Sequence, residues 1–297
     1  MNAGLLKRLN RVAGDPLPHV RVRSARIWNS WSGRIGLSGL TFVVLVAVLG
    51  SLVAPYGSAE SITSPYQAPS FGFLLGTDVL GRDVLSRLLG GGFRLIALGF
   101  AATLIAYLIG VTLGLLSAYL RGRTDTIIMR TLDVLLAFPG ILLVLVLTTG
   151  AGQSLVTIFV GVVLVNIPGA ARVTQSAGLE IVSMPFVEAA HLRGESISGV
   201  LRREIFPNIR GSLIADAGPR LAGAIILIAG VNYLGIGVNP PTPDWGAMIY
   251  ENSGGLTIQP WAMLAPALMI VVVVLSATLL GEAYLRTTDA QRSGDAR

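Results

Sequence analysis

Apolar and polar positions divide the chain into long uncharged runs separated by short charged stretches. A helix needs about 20 apolar residues to cross the ~30 Å hydrocarbon core of a membrane. One run, residues 134–171, is long enough for two such helices, and the stretch Thr-Thr-Gly-Ala-Gly-Gln-Ser at 148–154 divides it. The other runs cover residues 37–54, 95–120, 221–243 and 261–281. The pattern therefore predicts an all-α membrane protein with six transmembrane helices.

The basic residues are distributed unequally between the two sides of these predicted helices. Of the 22 arginines and lysines, only Arg82, Arg87 and Arg94 fall on one side, and the others fall on the side of both termini. Because loops rich in arginine and lysine stay inside, both termini are predicted to be cytoplasmic. The predicted regions are a basic cytoplasmic segment 1–34, a membrane domain 35–285 with an external segment 55–94 and a cytoplasmic loop 172–212, and a cytoplasmic tail 286–297.

The basic N-terminal segment fits two descriptions. Its apolar positions 5, 6, 9 and 12 share one helical face and Lys7, Arg8 and Arg11 share the other, which is typical of a helix lying in the membrane interface. A disordered basic tail is the alternative, and the pattern leaves both open. The first apolar run is too long for a removable signal peptide.

Composition agrees with a membrane protein and excludes several function classes. The chain is 53% hydrophobic and 13% charged, with a mean hydropathy of +0.70, whereas soluble domains are about 25% charged. Its single lysine, Lys7, cannot belong to a Gly-Lys-Ser/Thr phosphate loop for ATP. There is no cysteine, and His19 and His191 have no partner at metal-ligand spacing. We therefore expect no catalytic residues, no bound metal or cofactor and no nucleic-acid partner.

One charged stretch, residues 186–210, interrupts the apolar pattern with two short helical segments. Pro185 fits the first turn of a helix, and Gly194 is placed to end that helix in a left-handed conformation. Ser196 can cap a second helix, which Pro207 is expected to end. The apolar positions that share one face of this second helix are Ile197, Val200, Leu201 and Ile205. The stretch is therefore predicted to form a compact helix-turn-helix.

Within this stretch, the sequence Glu-Ala-Ala-His-Leu-Arg-Gly has a specific spacing. Its two alanines have little bulk, so another protein can pack closely against the first helix. With a glycine four residues after the second alanine and a proline further on, it is similar to the EAA loop of permease subunits of ABC importers. That resemblance implies a coupling helix that docks into a separate ATPase subunit. The coupling residues it implies are Glu188, Ala189, Ala190, His191, Arg193, Gly194 and Pro207.

Other stretches resemble one branch of these permeases. Residues 73–87 are similar to a signature of dipeptide and oligopeptide permeases of the DppC/OppC type, although Phe73 and Leu74 replace its opening His-Pro. Further matching stretches are residues 125–139, 235–237, 240–248 and 260–261. The resemblance implies the type I ABC importer permease fold in a bacterial cell membrane.

This resemblance also implies a set of partners. A second homologous permease would complete the translocation path, and two cytoplasmic ATPase subunits would bind ATP and magnesium. An external substrate-binding protein would deliver a di- or oligopeptide, and membrane lipid would surround the helices. An importer of nickel or another small solute is the alternative, because the branch shares these motifs. No pattern assigns substrate-binding residues.

The signature at 72–87 is predicted to be an external helical segment. Two aspartate–arginine pairs lie four positions apart in it, and exposed pairs of this kind contribute ~0.3–0.5 kcal/mol each. We expect the charged residues of this segment and two residues of the last external loop to contact the binding protein or to cover the outer mouth of the pore. These residues are Asp78, Arg82, Asp83, Arg87, Asp244 and Trp245.

Overall fold

The computed structural model describes residues 30–237 and 240–295, with side chains up to residue 286. Within these ranges every long element is a helix, and β-structure is limited to two isolated bridges, Ser61 to Arg82 and Thr77 to Asp83. The prediction of an all-α protein is confirmed. The two descriptions of the N-terminal segment concern residues that lie outside the described ranges.

The helices follow one another with short connections. The first half of the chain forms α1 (Trp31–Val53), α2 (Val84–Gly90), α3 (Gly92–Leu120), α4 (Gly122–Leu136) and α5 (Gly140–Ala151). The second half forms α6 (Leu155–Val182), α7 (Pro185–Leu192), α8 (Ile197–Val200), a π-helical segment (Leu201–Ile205), α9 (Phe206–Tyr233), α10 (Trp245–Glu251) and α11 (Trp261–Asp295).

Five helical stretches of the described chain are long and apolar enough to cross a membrane. They are Trp31–Val53, Val84–Leu120, Leu155–Val182, Ile197–Tyr233 and Trp261–Arg286. If the bent pair α4 and α5 counts as one span, the number of candidate spans is six. This number agrees with the six predicted helices.

The predicted third span is not a straight helix. The axes of α4 and α5 differ by 81°, and α5 has only 12 residues, which is about 18 Å of helix. Pro139 lies at the break. Proline lacks the N–H that would continue the hydrogen-bond ladder, and it disfavours the helical conformation at the residue before it.

The first and last helices run antiparallel. Gly36 and Gly39 of α1 lie against Ser276 of α11, and Gly50 lies against Leu89 at the other end of the bundle. The described beginning of α1 and the end of α11 are therefore at the same end, as the prediction for the two termini requires. The assignment of that end to the cytoplasm rests on the arginine distribution.

The helices pack closely because glycines lie at their crossings. A Cβ atom on Gly110 of α3 would lie 2.8 Å from the Cβ of Ala170 and 2.9 Å from the carbonyl oxygen of Ile167, both on α6. Contacts this short allow only glycine, and small residues are the usual means by which helices approach in a membrane. The bundle therefore holds α3 and α6 together as one unit.

Candidate functional site

The charged stretch between α6 and α9 forms a small helical unit at one end of the bundle. We call residues 185–205 the loop unit. Pro185 lies in the first turn of α7, and Gly194 ends that helix with φ of +75°. The N–H of Gly194 donates to the carbonyl of His191 at 2.9 Å, and the N–H of Glu195 donates to that of Ala190 at 3.2 Å. The predicted left-handed cap is confirmed.

The second helix begins as predicted but does not end at Pro207. The Ser196 Oγ accepts a hydrogen bond from the N–H of Gly199 at 3.3 Å, and Ile205 is buried. The chain then continues without interruption from Ile197 to Tyr233. Pro207 lies in the first turn of α9, directly after the π-helical segment. The helix continues through this proline, so the predicted break was wrong.

An apolar core lies between the loop unit and the ends of three long helices. Val187 and Ala190 are buried in it, together with Leu115 of α3 and Ile209 of α9, and Ile181 of α6 packs against its edge. The sequence predicts that both alanines of the motif face another protein. Only Ala189 is exposed, because Ala190 packs against its own chain.

A side-chain contact ties the loop unit to α3. The His191 ring stacks on the Tyr119 ring, with centroids 5.3 Å apart and an interplanar angle of 17°. The Tyr119 hydroxyl also lies 2.8 Å from Nε2 of His191. Tyr119 is at the end of α3, 72 residues away in sequence. One face of the His191 ring is therefore occupied by a contact within the chain and is not available to another protein.

One arginine of the loop unit forms ion pairs at its turn. The Arg193 guanidinium is 2.7 Å from Glu195 and 3.5 Å from Glu204, so it links the turn to the π-helical segment. Glu188, in contrast, is exposed on α7 and has no ion pair among the described residues.

The outward side of the loop unit includes two exposed apolar residues. The sequence analysis did not single out Leu192, and it grouped Ile197 with residues of the second helix that the structure buries. Leu192 is 85% exposed and Ile197 is 48% exposed. Leu192 lies four positions after Glu188 and three positions after Ala189, so the three side chains share one side of α7. An apolar residue at the tip of a charged loop was the signal that could have identified it. We call Glu188, Ala189, Leu192 and Ile197 the docking face.

At the opposite end of the bundle, residues 55–90 and 244–259 form a second unit, which we call the cap. Four charged side chains meet inside it: Asp78, Arg82, Arg87 and Glu251. Arg82 Nε lies 2.6 Å from Asp78 Oδ2, and Arg87 Nη2 lies 2.9 Å from Glu251 Oε2. Arg82 also bonds to Glu251, and Arg87 Nε is 3.4 Å from Asp78. Each carboxylate thus faces both arginines.

This arrangement corrects the prediction of exposed helical pairs. Asp78, Arg82 and Arg87 are at most 2% exposed, and helix α2 begins only at Val84. Two glycines before it, Gly76 and Gly81, have φ of +72°, which a helix does not allow.

Asp83 has a different role from the one predicted. It does not pair with Arg87 but caps α2, because its Oδ2 accepts from the N–H of Ser86 at 2.8 Å and from the Ser86 hydroxyl at 2.6 Å. The missed member of the cluster is Glu251, which is far away in sequence and gave no local signal.

Asp244 and Trp245 are also internal. Asp244 Oδ1 accepts from the N–H of Gly246 and from Nδ2 of Asn232, both at 2.9 Å, and so fixes α10 to the end of α9. Burial raises the pKa of the Asp244 carboxyl, against the opposing effect of these hydrogen bonds. The Trp245 indole, fully buried, donates to the carbonyl of Leu88 at 2.8 Å.

The six cap residues predicted from sequence therefore build the interior of the cap rather than its surface. The exposed side chains of the cap include polar ones, such as Glu60 and Gln67, and several large apolar ones. The apolar ones include Phe71, Leu74, Leu80 and Ile258. Among the described residues of the whole chain, no group of three or more histidine or acidic side chains is placed to hold a metal ion.

Comparison with known families shows which class of protein this all-helical membrane bundle belongs to. Residues 110–288 match the family model described as "Binding-protein-dependent transport system inner membrane component". The chain belongs to this family. It is thus a permease subunit, a multi-pass protein of the bacterial inner membrane.

Curated relatives match over nearly the whole length. The chain is 34% identical to a "Glutathione transport system permease protein GsiD" of Pectobacterium atrosepticum, over 90% of this chain and 92% of that protein. It is 32% identical to a "Di/tripeptide transport system permease protein DppC" of Pseudomonas aeruginosa, over 92% and 94%. It is 33% identical to a "Dipeptide transport system permease protein DppC" of Haemophilus influenzae, over 84% and 86%. The resemblance to the dipeptide and oligopeptide branch is confirmed.

A solved structure supports the fold. A chain of the MetNI methionine ABC transporter in an inward-facing conformation aligns with a TM-score of 0.56 and 18% identity, covering 65% of this chain and 92% of that one. The predicted type I ABC importer permease fold is confirmed.

Proposed function

We propose that the chain is one of two permease subunits of an ATP-driven importer for di- and oligopeptides. The observation that carries this proposal is the loop unit: a rigid helical projection with a small, partly apolar docking face on a bundle that otherwise consists of membrane helices. The chain itself performs no bond chemistry and binds no cofactor. ATP and magnesium bind to two partner ATPase subunits.

The docking face is the proposed contact with an ATPase subunit. Ala189 leaves room for close approach, Leu192 offers an apolar anchor, and Glu188 offers an exposed charge that can fix the orientation. An interface with an apolar centre and a charged rim is the usual composition of protein contacts. The underside of the loop unit packs on α3, α6 and α9, so movement of an ATPase would reach three long helices together.

The cap is the proposed contact with the external substrate-binding protein, or the cover of the outer pore mouth. Its buried charges hold its two segments together, and its exposed apolar side chains are available to a partner. Asp78, Arg82, Asp83, Arg87, Asp244 and Trp245 would then act by shaping this surface, not by touching the partner.

The names of the relatives support a peptide substrate. The printed names of the three relatives refer to glutathione, di/tripeptides and dipeptides, which are all short peptides. None of these three names refers to nickel, the alternative solute. A peptide path through one six-helix subunit would be narrow, so a second homologous permease completes it.

The test of this function is transport by the complete system in liposomes. The permease is reconstituted with its partner permease, its two ATPases and its binding protein, and the uptake of labelled dipeptide, glutathione and nickel is measured with and without ATP. We expect ATP-dependent uptake of at least one peptide and none of nickel. Uptake of nickel without peptide uptake would contradict the peptide assignment and support the alternative.

Orientation is tested separately by cysteine labelling, since the native chain has no cysteine. Single cysteines at Ser196 in the loop unit and Ser253 in the cap are exposed to a membrane-impermeant reagent in sealed vesicles. We expect Ser196→Cys to react from the cytoplasmic side only and Ser253→Cys from the external side only. Reaction of both from one side would contradict the predicted topology.

A further inference from the structure

A long groove runs along the outside of the bundle between α3 and α9, next to the loop unit. Its volume is about 800 Å³. The walls are almost entirely apolar and include Leu108 and Val111 of α3 and Phe206 and Ile214 of α9. Leu108, Phe206 and Ile214 are all more than 40% exposed, so the described chain leaves the groove open on one side.

Two arginines line the groove near the loop unit. They are Arg202, in the π-helical segment, and Arg210, in the second turn of α9, and both are exposed. Within the described residues neither has an ion pair, whereas Arg193 and Arg220 on the same stretch pair with acidic neighbours. Two cations thus lie beside an apolar surface, and no acidic side chain of the described residues pairs with them.

The length of the groove along α3 equals the thickness of one membrane leaflet. It follows α3 from Tyr107 to Leu116, which is about 15 Å of helix and equals half of a ~30 Å hydrocarbon core. Its arginine-lined part lies toward the loop unit, where the helices leave the membrane. Arginine side chains at such positions extend their charged ends to the lipid headgroups.

We propose that this groove binds an anionic phospholipid of the leaflet on the loop-unit side. The acyl chains lie along the apolar wall, and the phosphate is held by Arg202 and Arg210. A guanidinium group matches the geometry of a phosphate with two parallel hydrogen bonds. Basic pockets between membrane helices are a known means of binding anionic lipid headgroups. A helix of a partner permease is the competing occupant, but it would have to bring acidic groups to both arginines at once.

The first test measures lipid retention by the assembled transporter, purified in mild detergent, with native mass spectrometry. Phosphatidylglycerol and phosphatidylcholine are added at equal concentrations. We expect the wild type to retain phosphatidylglycerol preferentially and the double variant Arg202→Gln/Arg210→Gln to bind it about thirtyfold more weakly. Arg203→Gln is the matched control, because Arg203 carries the same charge in the same segment but does not line this groove. It should retain lipid like the wild type.

The second test identifies the occupant directly. A photoreactive amino acid at Ile214, on the groove wall, is irradiated in native membranes, and the product is analysed by mass. A phospholipid adduct is the expected result. A cross-link to the partner permease in place of lipid would overturn the proposal, as would equal retention of both lipids in the first test or an equal loss in Arg203→Gln. These readouts do not depend on transport, so they are independent of the proposed peptide substrate.

Discussion

The cap and the loop unit use similar residues in opposite ways. Both consist of short helices and turns with closely spaced acidic and basic side chains. In the cap these charges are buried and pair with one another across two distant segments, whereas the buried core of the loop unit is apolar and its Glu188 is exposed. The comparison teaches that charged motifs do not by themselves mark a surface. Arg87 is buried where a distant part of the chain supplies a counter-charge, and Glu188 stays exposed where the described chain supplies none.

The largest expected effect comes from breaking the cap cluster. Arg87→Met leaves Asp78 and Glu251 with one arginine between them in a buried site. Removing one partner from a buried ion pair costs about 3–5 kcal/mol of folding free energy. We expect a clear fall in the unfolding midpoint of the purified protein in detergent and faster proteolysis of the cap.

The matched control for this variant is Arg172→Met. Arg172 pairs with Asp133, but both side chains are about half exposed, at 52% and 50%. Exposed pairs contribute about 0–1 kcal/mol. A similar fall in the unfolding midpoint for both variants would contradict the idea that the cap cluster is a buried structural element.

The next effect separates the two alanines of the loop unit. Ala190→Trp forces a large ring into the apolar core, and overpacking costs about 1–3 kcal/mol of stability in the chain itself. Ala189→Trp instead adds the same ring to the docking face. It should leave the unfolding midpoint unchanged but weaken ATPase binding by roughly ten- to a hundredfold.

This prediction is measured by co-purification of the ATPases and by the unfolding midpoint of each variant. Ala189→Trp should also reduce peptide uptake further than it reduces ATPase recovery. If Ala189→Trp recovered ATPase and transported peptide at wild-type levels, the docking face would not be the coupling contact.

The smallest effect concerns the contact between His191 and Tyr119. Stacked aromatic pairs contribute about 0.5–1.5 kcal/mol beyond their buried area. Tyr119→Ala removes this contact but leaves the docking face intact, so ATPase recovery should stay near wild type while peptide uptake per ATP hydrolysed falls several-fold. Tyr119→Phe keeps the stacked ring and loses only the hydroxyl, so it should retain most of the coupling. Equal uptake per ATP in Tyr119→Ala and wild type would show that this contact transmits nothing.

Local signals in the sequence were enough to predict the membrane helices and the turn of the loop unit. Gly194 and Ser196 behave as their residue types predict, because a cap depends on a few neighbouring atoms. The cap cluster could not be predicted in this way, since Glu251 reaches Arg87 from 164 residues away. The spacing of Asp83 and Arg87 suggested a pair, but Asp83 bonds to a backbone N–H instead. Family resemblance identified the loop, yet not which of its alanines is exposed.

The continuity of the chain through Pro207 has a mechanical consequence. Residues Ile197–Tyr233 form a single rod of 37 residues, about 55 Å long, which begins at the docking face and ends where Asn232 holds Asp244 in the cap. Near its middle, Gly218 lies directly against Ala277 of α11, and Pro219 removes one backbone hydrogen bond. A tilt of this helix about that crossing would move its two ends in opposite directions, so a displacement at the docking face would be accompanied by one at the cap.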